Sequence, residues 1–514
     1  MSFKHHQLHI IFLPYMAPGH MMPMVDIARA FATHGNTKAT IITTPANASR
    51  FNDTIIRDTD NSGHQITFLT ISLPLKEVGL PEGCDNLVST STRETTFKLF
   101  RAIEMLQPML ETMLVDNKPD CIVSDYLYPW TVDVAKRLGI PRLAFSGGCF
   151  FNCCVSYNLE QFRPHDRVEF ERQPFAVPNL PDEVTLTRSQ LQDLVKGNTD
   201  FNELFERLRK AEKNSFGVLM NSFYGLESAY VDYFRNEMGI KSWHIGPLFL
   251  FNKPTLDDKV GRGDKSSIDA HKCLQWLDSK KPNSVLYICF GSLSRFTKSQ
   301  LIEMASALND SGCSFIWVLG KVMKSNENNN NNDQIRQDDD QEEIEEEQQH
   351  WLPNWFEETV LENKDKGLVI KGWAPQLLIL EHPAIGGFLT HCGWNSILEG
   401  VCAGVPLITW PLFADQFYNE KLVTQVLKIG VEVGNMVWKT WATDETELVE
   451  KEKIKIAIER VMGVGEEAKE IRRKVKEFSE LAYKAIDEGG SSFNDVNELL
   501  KEISMHKQYY MVKE

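Results

Sequence analysis

Short apolar, largely β-branched runs alternate along this chain with longer stretches whose apolar positions recur at helical spacing. "LHIIFLP" (8–14) leads into "PMVDIARAFATHG" (23–35), where the three-and-four spacing predicts a helix that Gly35 stops, and "KATIITTP" (38–45) follows as a second strand. "DCIVSDY" (120–126), "PWTVDVAKRLG" (129–139) and "IPRLAFS" (140–146) repeat the order strand, helix, strand. The pattern restarts at "SVLYICFGS" (284–292), continues through "TKSQLIEMASALNDSG" and "CSFIWVLG" (313–320), and runs on in "GLVIKGW", "IGGFLTH" and "PLITWP". Such alternation predicts an α/β protein built on doubly wound parallel sheets, in two Rossmann-like halves. The expected division is 1–250 for the first domain, 251–270 for a polar linker containing Pro and Gly, and 271–485 for the second domain. The pattern "SSFNDVNELLKEI" reads as an amphipathic helix within 486–514, expected to pack back on the N-terminal domain.

Bulk properties narrow the function classes. The chain has 514 residues, 42% of them apolar, enough for two or three domains with sizeable cores. A formal charge of −16 argues against nucleic acid or an acidic membrane surface as the main partner. Ten acids against Lys321, Lys324 and Arg336 place about −7 of that charge in the low-complexity stretch 321–350, expected to be a disordered surface insert. The first twenty residues hold an apolar run ending at Pro14, too short for a signal peptide, and no later stretch is long enough to span a membrane. Ten scattered cysteines with no C-x-x-C spacing read as free thiols, and cytoplasm is the expected compartment.

Ligands of doubly wound sheets bind at the carboxyl ends of strands, and three such ends carry chemistry. In "LPYMAPGHMMP" (13–23), Pro18-Gly19 break the strand and His20 opens the next helix, as a cap, a surface residue or a base. In "VSDYLYPW" (123–130), Asp125 ends a strand of the same sheet, as a helix cap or a partner for an imidazole. No G-x-S-x-G elbow supplies a nucleophile for acyl transfer.

The third end, "THCGWNSILEG" (390–400), admits three readings. A metal site lacks ligands, since only His382 is near. A Cys-His nucleophile is poorly served by adjacent residues, which point to opposite faces of a strand. An anion cradle fits better: Gly393 lets the backbone approach a ligand, Asn395 or Ser396 caps a helix, and His391 adds a directed donor. Ser396-Ile-Leu-Glu399 also satisfies a capping box, a purely structural account of both residues. There is no Walker motif and no G-x-G-x-x-G directly after a strand, which weakens kinase and nicotinamide readings.

The run "WAPQLLILEHPAIGGFLTHCGWNSILEGVCAGVPLITWPLFADQ", Trp373 to Gln416, closely resembles the 44-residue signature of plant secondary-product UDP-glycosyltransferases. The "GH" loop, "FGS" at 290–292 and "SFYGLE" are similar to the same family, and the chain resembles its triterpenoid-, steroid- and flavonoid-glycosylating branch. The resemblance implies the GT-B fold, two Rossmann-like domains facing a cleft. It implies that Trp373 stacks on uracil with the Ala374 backbone and Gln376 nearby, and that Ser292, His391, Asn395 and Ser396 hold the diphosphate. Glu399 would hold the ribose, and Trp394, Asp415 and Gln416 the sugar, with Gln416 favouring glucose over galactose. His20 would be the base and Asp125 its orienting acid, in an inverting transfer from UDP-glucose that needs no metal and no other cofactor. A hydrophobic triterpenoid acceptor is expected, with a flavonoid as the alternative, and a monomer with no nucleic-acid partner. Phe145, Phe150, Phe151 and Phe175 are candidates for an apolar acceptor cavity, with core packing the commoner fate of any single one. A catalytically inactive nucleotide-sugar binder is the reading from a different class, against which stands the presence of both His20 and Asp125.

Overall fold

Alternation of side chains across strands is realised in two parallel sheets of a computed structural model, which describes residues 7–34, 37–90, 92–197, 202–322, 352–353, 355–356, 358, 366–439 and 447–511. All but the first two residues of the acidic stretch 321–350 lie outside the described residues. The chain divides into two compact units, Met1–Lys265 with Lys476–Glu514, and Ser266–Val475.

The first unit carries a seven-stranded sheet. Its strands lie in the order Ile66–Thr70, Thr37–Thr43, Leu8–Leu13, Cys121–Asp125, Arg142–Ser146, Gly217–Met220 and Ser242–His244, every pair parallel. Period-two alternation sorts its side chains onto two cores. Ile10, Phe12, Cys121, Val123, Leu143 and Phe145 pack on one face against Met21, Met24 and Ala28 of the helix Pro18–His34. Ile11, Leu13 and Ile122 pack on the other against Leu99, Leu110 and Val134. The C-terminal helix Ser491–Met511 belongs to this unit: Val496, Leu499 and Ile503 join the first face, and Asp495 accepts from Arg235 at 3.0 Å.

The second unit repeats the design with six strands. Their order is Gly367–Lys371, Ser314–Leu319, Val285–Cys289, Ile385–Thr390, Leu407–Thr409 and Gly430–Glu432, again parallel throughout. In each sheet the strand order reverses beside the first strand in sequence. The two reversal points lie between Leu8–Leu13 and Cys121–Asp125, and between Val285–Cys289 and Ile385–Thr390. A crevice opens at such points because the connections on either side leave in opposite directions.

Candidate active site and nucleotide-sugar seat

At the reversal point of the first sheet the backbone brings His20 and Asp125 together. Leu13 pairs in register with Ser124, so the loop after one strand and the last residue of the other meet at the same edge. Asp125 has the parity of Cys121 and Val123 and therefore faces the helix that carries His20 in its first turn. The result is a 2.6 Å contact between His20 Nδ1 and Asp125 Oδ2, with the carboxylate fully buried. Asp125 Oδ1 accepts the Leu127 amide at 3.0 Å, so neither oxygen is free to turn. The imidazole, 26% exposed, is flanked as well: Tyr126 stacks beside it at 6.4 Å, Tyr15 tilts against it at 5.8 Å, and a Cβ added to Gly147 would stand 3.6 Å from the ring. A carboxylate on Nδ1 fixes ring and tautomer, which leaves Nε2 as the nitrogen able to accept a proton.

The reversal point of the second sheet holds His391. Cys289 pairs in register with Thr390, so the turns that follow both strands converge there. A Cβ at Gly393 would lie 2.5 Å from His391 Nε2, and one at Gly291, where φ is +72°, 2.7 Å from the same atom. The imidazole is thus lodged between two backbones that only glycine allows so close. His391 Nδ1 is buried with no hydrogen-bond partner among the described residues, and burial pushes the ring's pKa down to about 4. The ring is neutral at physiological pH. Between His391 and Gly393, Cys392 takes φ +66°, a conformation held by Asn419, whose Nδ2 donates to the Cys392 carbonyl at 3.0 Å. The Cys392 thiol itself is buried, and burial raises its pKa well above the ordinary value, so it has no nucleophilic part.

The helix that follows starts earlier than the sequence suggests. It spans Trp394–Cys402, its N-cap is Gly393, and no side chain caps it. Asn395 and Ser396 lie inside its first turn, so the capping-box reading of Ser396 and Glu399 is overturned. Ser396 Oγ and Glu399 Oε2 both accept from Gln376 Nε2, at 3.3 and 2.6 Å, while Tyr287 donates to Gln376 Oε1 at 3.2 Å. With no side-chain cap on its first turn and the macrodipole behind it, this helix start attracts an anion.

Other expected contacts are placed as follows. Trp373 is half-buried, its amide held by Ser267 Oγ at 3.0 Å, and Ala374 beside it is buried. Ser292 is partly exposed in the turn that begins at Gly291. Trp394 is buried. Asp415 precedes the helix Gln416–Lys421, and Gln416 Oε1 accepts the amides of Leu412 and Phe413 at 2.8 and 3.0 Å. That oxygen is committed to the backbone. Phe145, Phe150 and Phe151 do not serve as cavity walls: all three are fully buried, Phe150 edge-on to Phe234 and Phe151 edge-on to Tyr230. Phe175 is also buried, at 8% exposure. Among the described residues no three His, Cys, Asp or Glu side chains are grouped to hold a metal ion, no helix is long and apolar enough to cross a membrane, and none of the ten cysteines is in a disulfide.

Residues 90–464 match the family model described as "UDP-glucoronosyl and UDP-glucosyl transferase". The chain belongs to this family. It is a UDP-glycosyltransferase of the plant type, with the GT-B fold. A UDP-glucosyl transferase 73CC6 of Saponaria officinalis is 44% identical over 508 residues, 98% of this chain and 99% of the relative. The scopoletin glucosyltransferase of Nicotiana tabacum is 45% identical over 502 residues, 97% of this chain and 98% of that one. Among solved structures, Glycyrrhiza uralensis UGT73P12 complexed with glycyrrhetinic acid 3-O-monoglucuronide superposes with a TM-score of 0.88 at 40% identity, covering 99% of this chain and 98% of that one.

Several residues that shape the two sites of this transferase escape sequence reasoning. Gly291 and Gly393 lie in the motifs "FGS" and "THCGWNSILEG", but their shared contact with His391 needs the sheet order. Asn419 and Trp438, which holds the Ala414 carbonyl through Nε1 at 2.9 Å, carry no local signal. Arg142 reads simply as the start of a strand, yet it lies beneath Asp125.

Proposed function

We propose that this transferase moves glucose from UDP-glucose to a hydroxyl of a hydrophobic plant metabolite, a triterpenoid in the first instance, with inversion and without a metal ion. The observation that carries the reading is the 2.6 Å His20–Asp125 pair at the reversal point of the first sheet. His20 takes the proton of the acceptor hydroxyl, and Asp125 stabilises the imidazolium that results. The hydroxyl oxygen bonds to the anomeric carbon as the bond from that carbon to the diphosphate oxygen breaks, and UDP leaves with the electron pair from the opposite face. His391, Ser292 and the start of the helix Trp394–Cys402 receive its charge, with Asn395 and Ser396 in that first turn. Trp373, Ala374, Gln376 and Glu399 hold the nucleoside, and Trp394, Asp415 and the Gln416 amide face the sugar.

The triterpenoid assignment is supported by the 40% identical structure that holds a triterpenoid monoglucuronide. A phenolic acceptor is the second reading, favoured by the relative named for scopoletin. Cytoplasm remains the proposed compartment, in keeping with ten cysteines outside any disulfide. Incubation with UDP-glucose or UDP-galactose and a panel of sapogenins, saponins, flavonoids and coumarins, read by mass spectrometry, tests acceptor and donor together. His20→Ala is expected to abolish transfer to an aliphatic alcohol while UDP still protects the protein in a thermal melt. Near-normal turnover of that variant would sink the assignment of the base.

A further inference from the structure

Directly behind the His20–Asp125 pair, on the opposite face of the sheet, lies a buried cation that the transfer mechanism does not use. Arg142 opens the strand Arg142–Ser146 and is 2% exposed. Its neighbours Leu143 and Phe145 face the helix that carries His20, so by alternation Arg142 points away from it, with Ser124. All of its hydrogen bonds go to neutral oxygens. Nε donates to Ser124 Oγ at 2.9 Å and Thr131 Oγ1 at 3.2 Å, Nη1 to Ser215 Oγ at 2.7 Å, and Nη2 to the Asp125 carbonyl at 3.3 Å. Thr131 in turn donates to the Tyr128 carbonyl at 2.6 Å. The guanidinium therefore grips both ends of the turn 125–131, which presents Asp125 to Nδ1 and Tyr126 to the face of the His20 ring.

A fully buried guanidinium with no bidentate carboxylate is costly to keep, and packing alone would be served as well by an apolar side chain. Burial pulls its pKa down to about 10, so it stays charged at neutral pH. The charges that face it are few. Glu212 approaches from the helix Asn202–Lys213, but burial pushes its carboxyl up to about 7, so it neutralises Arg142 only in part, with Lys213 and Arg209 beside it. Asp125 lies across the strand, among Tyr15 and Tyr128, whose phenols burial keeps neutral.

We propose that Arg142 is a positioning residue of the transfer reaction, holding the 125–131 turn in place and setting, through its charge, how readily His20 accepts the proton of the acceptor. This rests on the reading of His20 as the base. A positive charge behind the pair disfavours imidazolium, so its removal moves the acid limb of the pH profile towards higher pH.

The test uses the full-length enzyme, UDP-glucose, an aliphatic sapogenin alcohol and a phenol. Arg142→Met is expected to lower kcat on the aliphatic alcohol between about tenfold and 100-fold, and on the phenol by less, because a phenol needs the base less. KM for UDP-glucose should stay within about twofold, since uniform donor binding is untouched. The acid limb of kcat/KM should move up by about 0.5 pH unit or more, and Arg142→Lys should return it to the wild-type position, because charge is restored. A lowered melting temperature with the limb unmoved and both acceptors equally affected would mean a purely structural arginine and would overturn the proposal. If Arg142→Met does not fold, Ser124→Ala with Thr131→Val strips two hydroxyls from the guanidinium and keeps its charge. That pair should lower kcat on the aliphatic alcohol with the limb in place, and unchanged kcat would overturn the proposal. His20→Ala separates the two readings: normal turnover there ends the base assignment, whereas an inactive His20→Ala beside an unaffected Arg142→Met ends this proposal alone.

Discussion

Gln376 donates through Nε2 to Glu399 Oε2 at 2.6 Å, tying the start of the helix Gln376–Leu380 to the helix Trp394–Cys402. Two residues expected to touch the nucleoside are therefore one unit, completed by Tyr287 on the Gln376 carbonyl and by Ser396. Gln376→Ala is expected to raise KM for UDP-glucose by about tenfold with kcat little changed, because ground-state and transition-state binding suffer alike. Combined with Glu399→Gln it should add little further, giving a coupling of about 0.5–3 kcal/mol in a double-mutant cycle. Simple additivity would show that the two act separately.

The seat of His391 depends on two missing side chains. Gly393→Ala places a methyl 2.5 Å from Nε2 and must displace the ring, while Gly291→Ala adds a φ of +72° to a 2.7 Å clash. Both variants should lose the thermal protection given by UDP, and Gly291→Ala should also melt lower in the absence of ligand, since an alanine in left-handed backbone costs about 1 kcal/mol before any clash. Full UDP protection in either would mean that the imbedded imidazole is not what the diphosphate meets.

Much of this was legible in the sequence because periodicity reports sheet alternation and a dense 44-residue match reports a nucleotide-sugar seat. His20 and Asp125 stand 105 positions apart, one opening the helix after a strand and the other closing a strand; that they meet follows from the strand order. What stayed hidden is long-range. Nothing local distinguishes Arg142 from any strand arginine, since its partners Ser124, Thr131 and Ser215 come from three other segments. The helix starts two residues before the position that Ser and Asn, as strong caps, suggest, with Gly393 at its N-cap and no side-chain cap. The phenylalanines Phe145, Phe150, Phe151 and Phe175 take the fate that is commoner for large apolar side chains next to strands, burial in the interior rather than around an acceptor.

Acid should weaken the fold partly through His391. Its folded pKa, pushed down to about 4 by burial, lies below the ordinary value of 6.5. Above pH 6.5 both folded and unfolded forms are neutral and the group contributes nothing; as pH falls from 6.5 towards 4 the unfolded chain takes up a proton that the folded one refuses, and stability drops. His391→Asn removes that penalty. Its denaturant midpoint is expected to fall less steeply than the wild type's between pH 6.5 and 4.5, whatever the offset between the two at neutral pH. Parallel curves would place a hydrogen-bonded or solvated imidazole at this position.

Donor selectivity should run through Trp438. Ala414, immediately before the Asp415-Gln416 pair, takes φ +51°, a conformation that alanine adopts reluctantly and that needs support. The support visible is the Trp438 indole, whose Nε1 donates to the Ala414 carbonyl at 2.9 Å, and the neighbouring Lys439 amide, which donates to Leu412 at 2.9 Å. Removing the indole N–H with Trp438→Phe lets this turn relax and shifts Asp415 and Gln416, proposed to face the sugar, without touching the residues proposed to hold UDP. KM for UDP-glucose should rise by about threefold to tenfold, consistent with loss of roughly one hydrogen bond, while inhibition by UDP, which lacks the sugar, stays as in the wild type. Ala414→Gly in the same background removes the steric objection to positive φ and should recover part of the loss. An equal rise in the UDP inhibition constant would show that Trp438 supports the whole seat, and an unchanged KM that the turn holds itself.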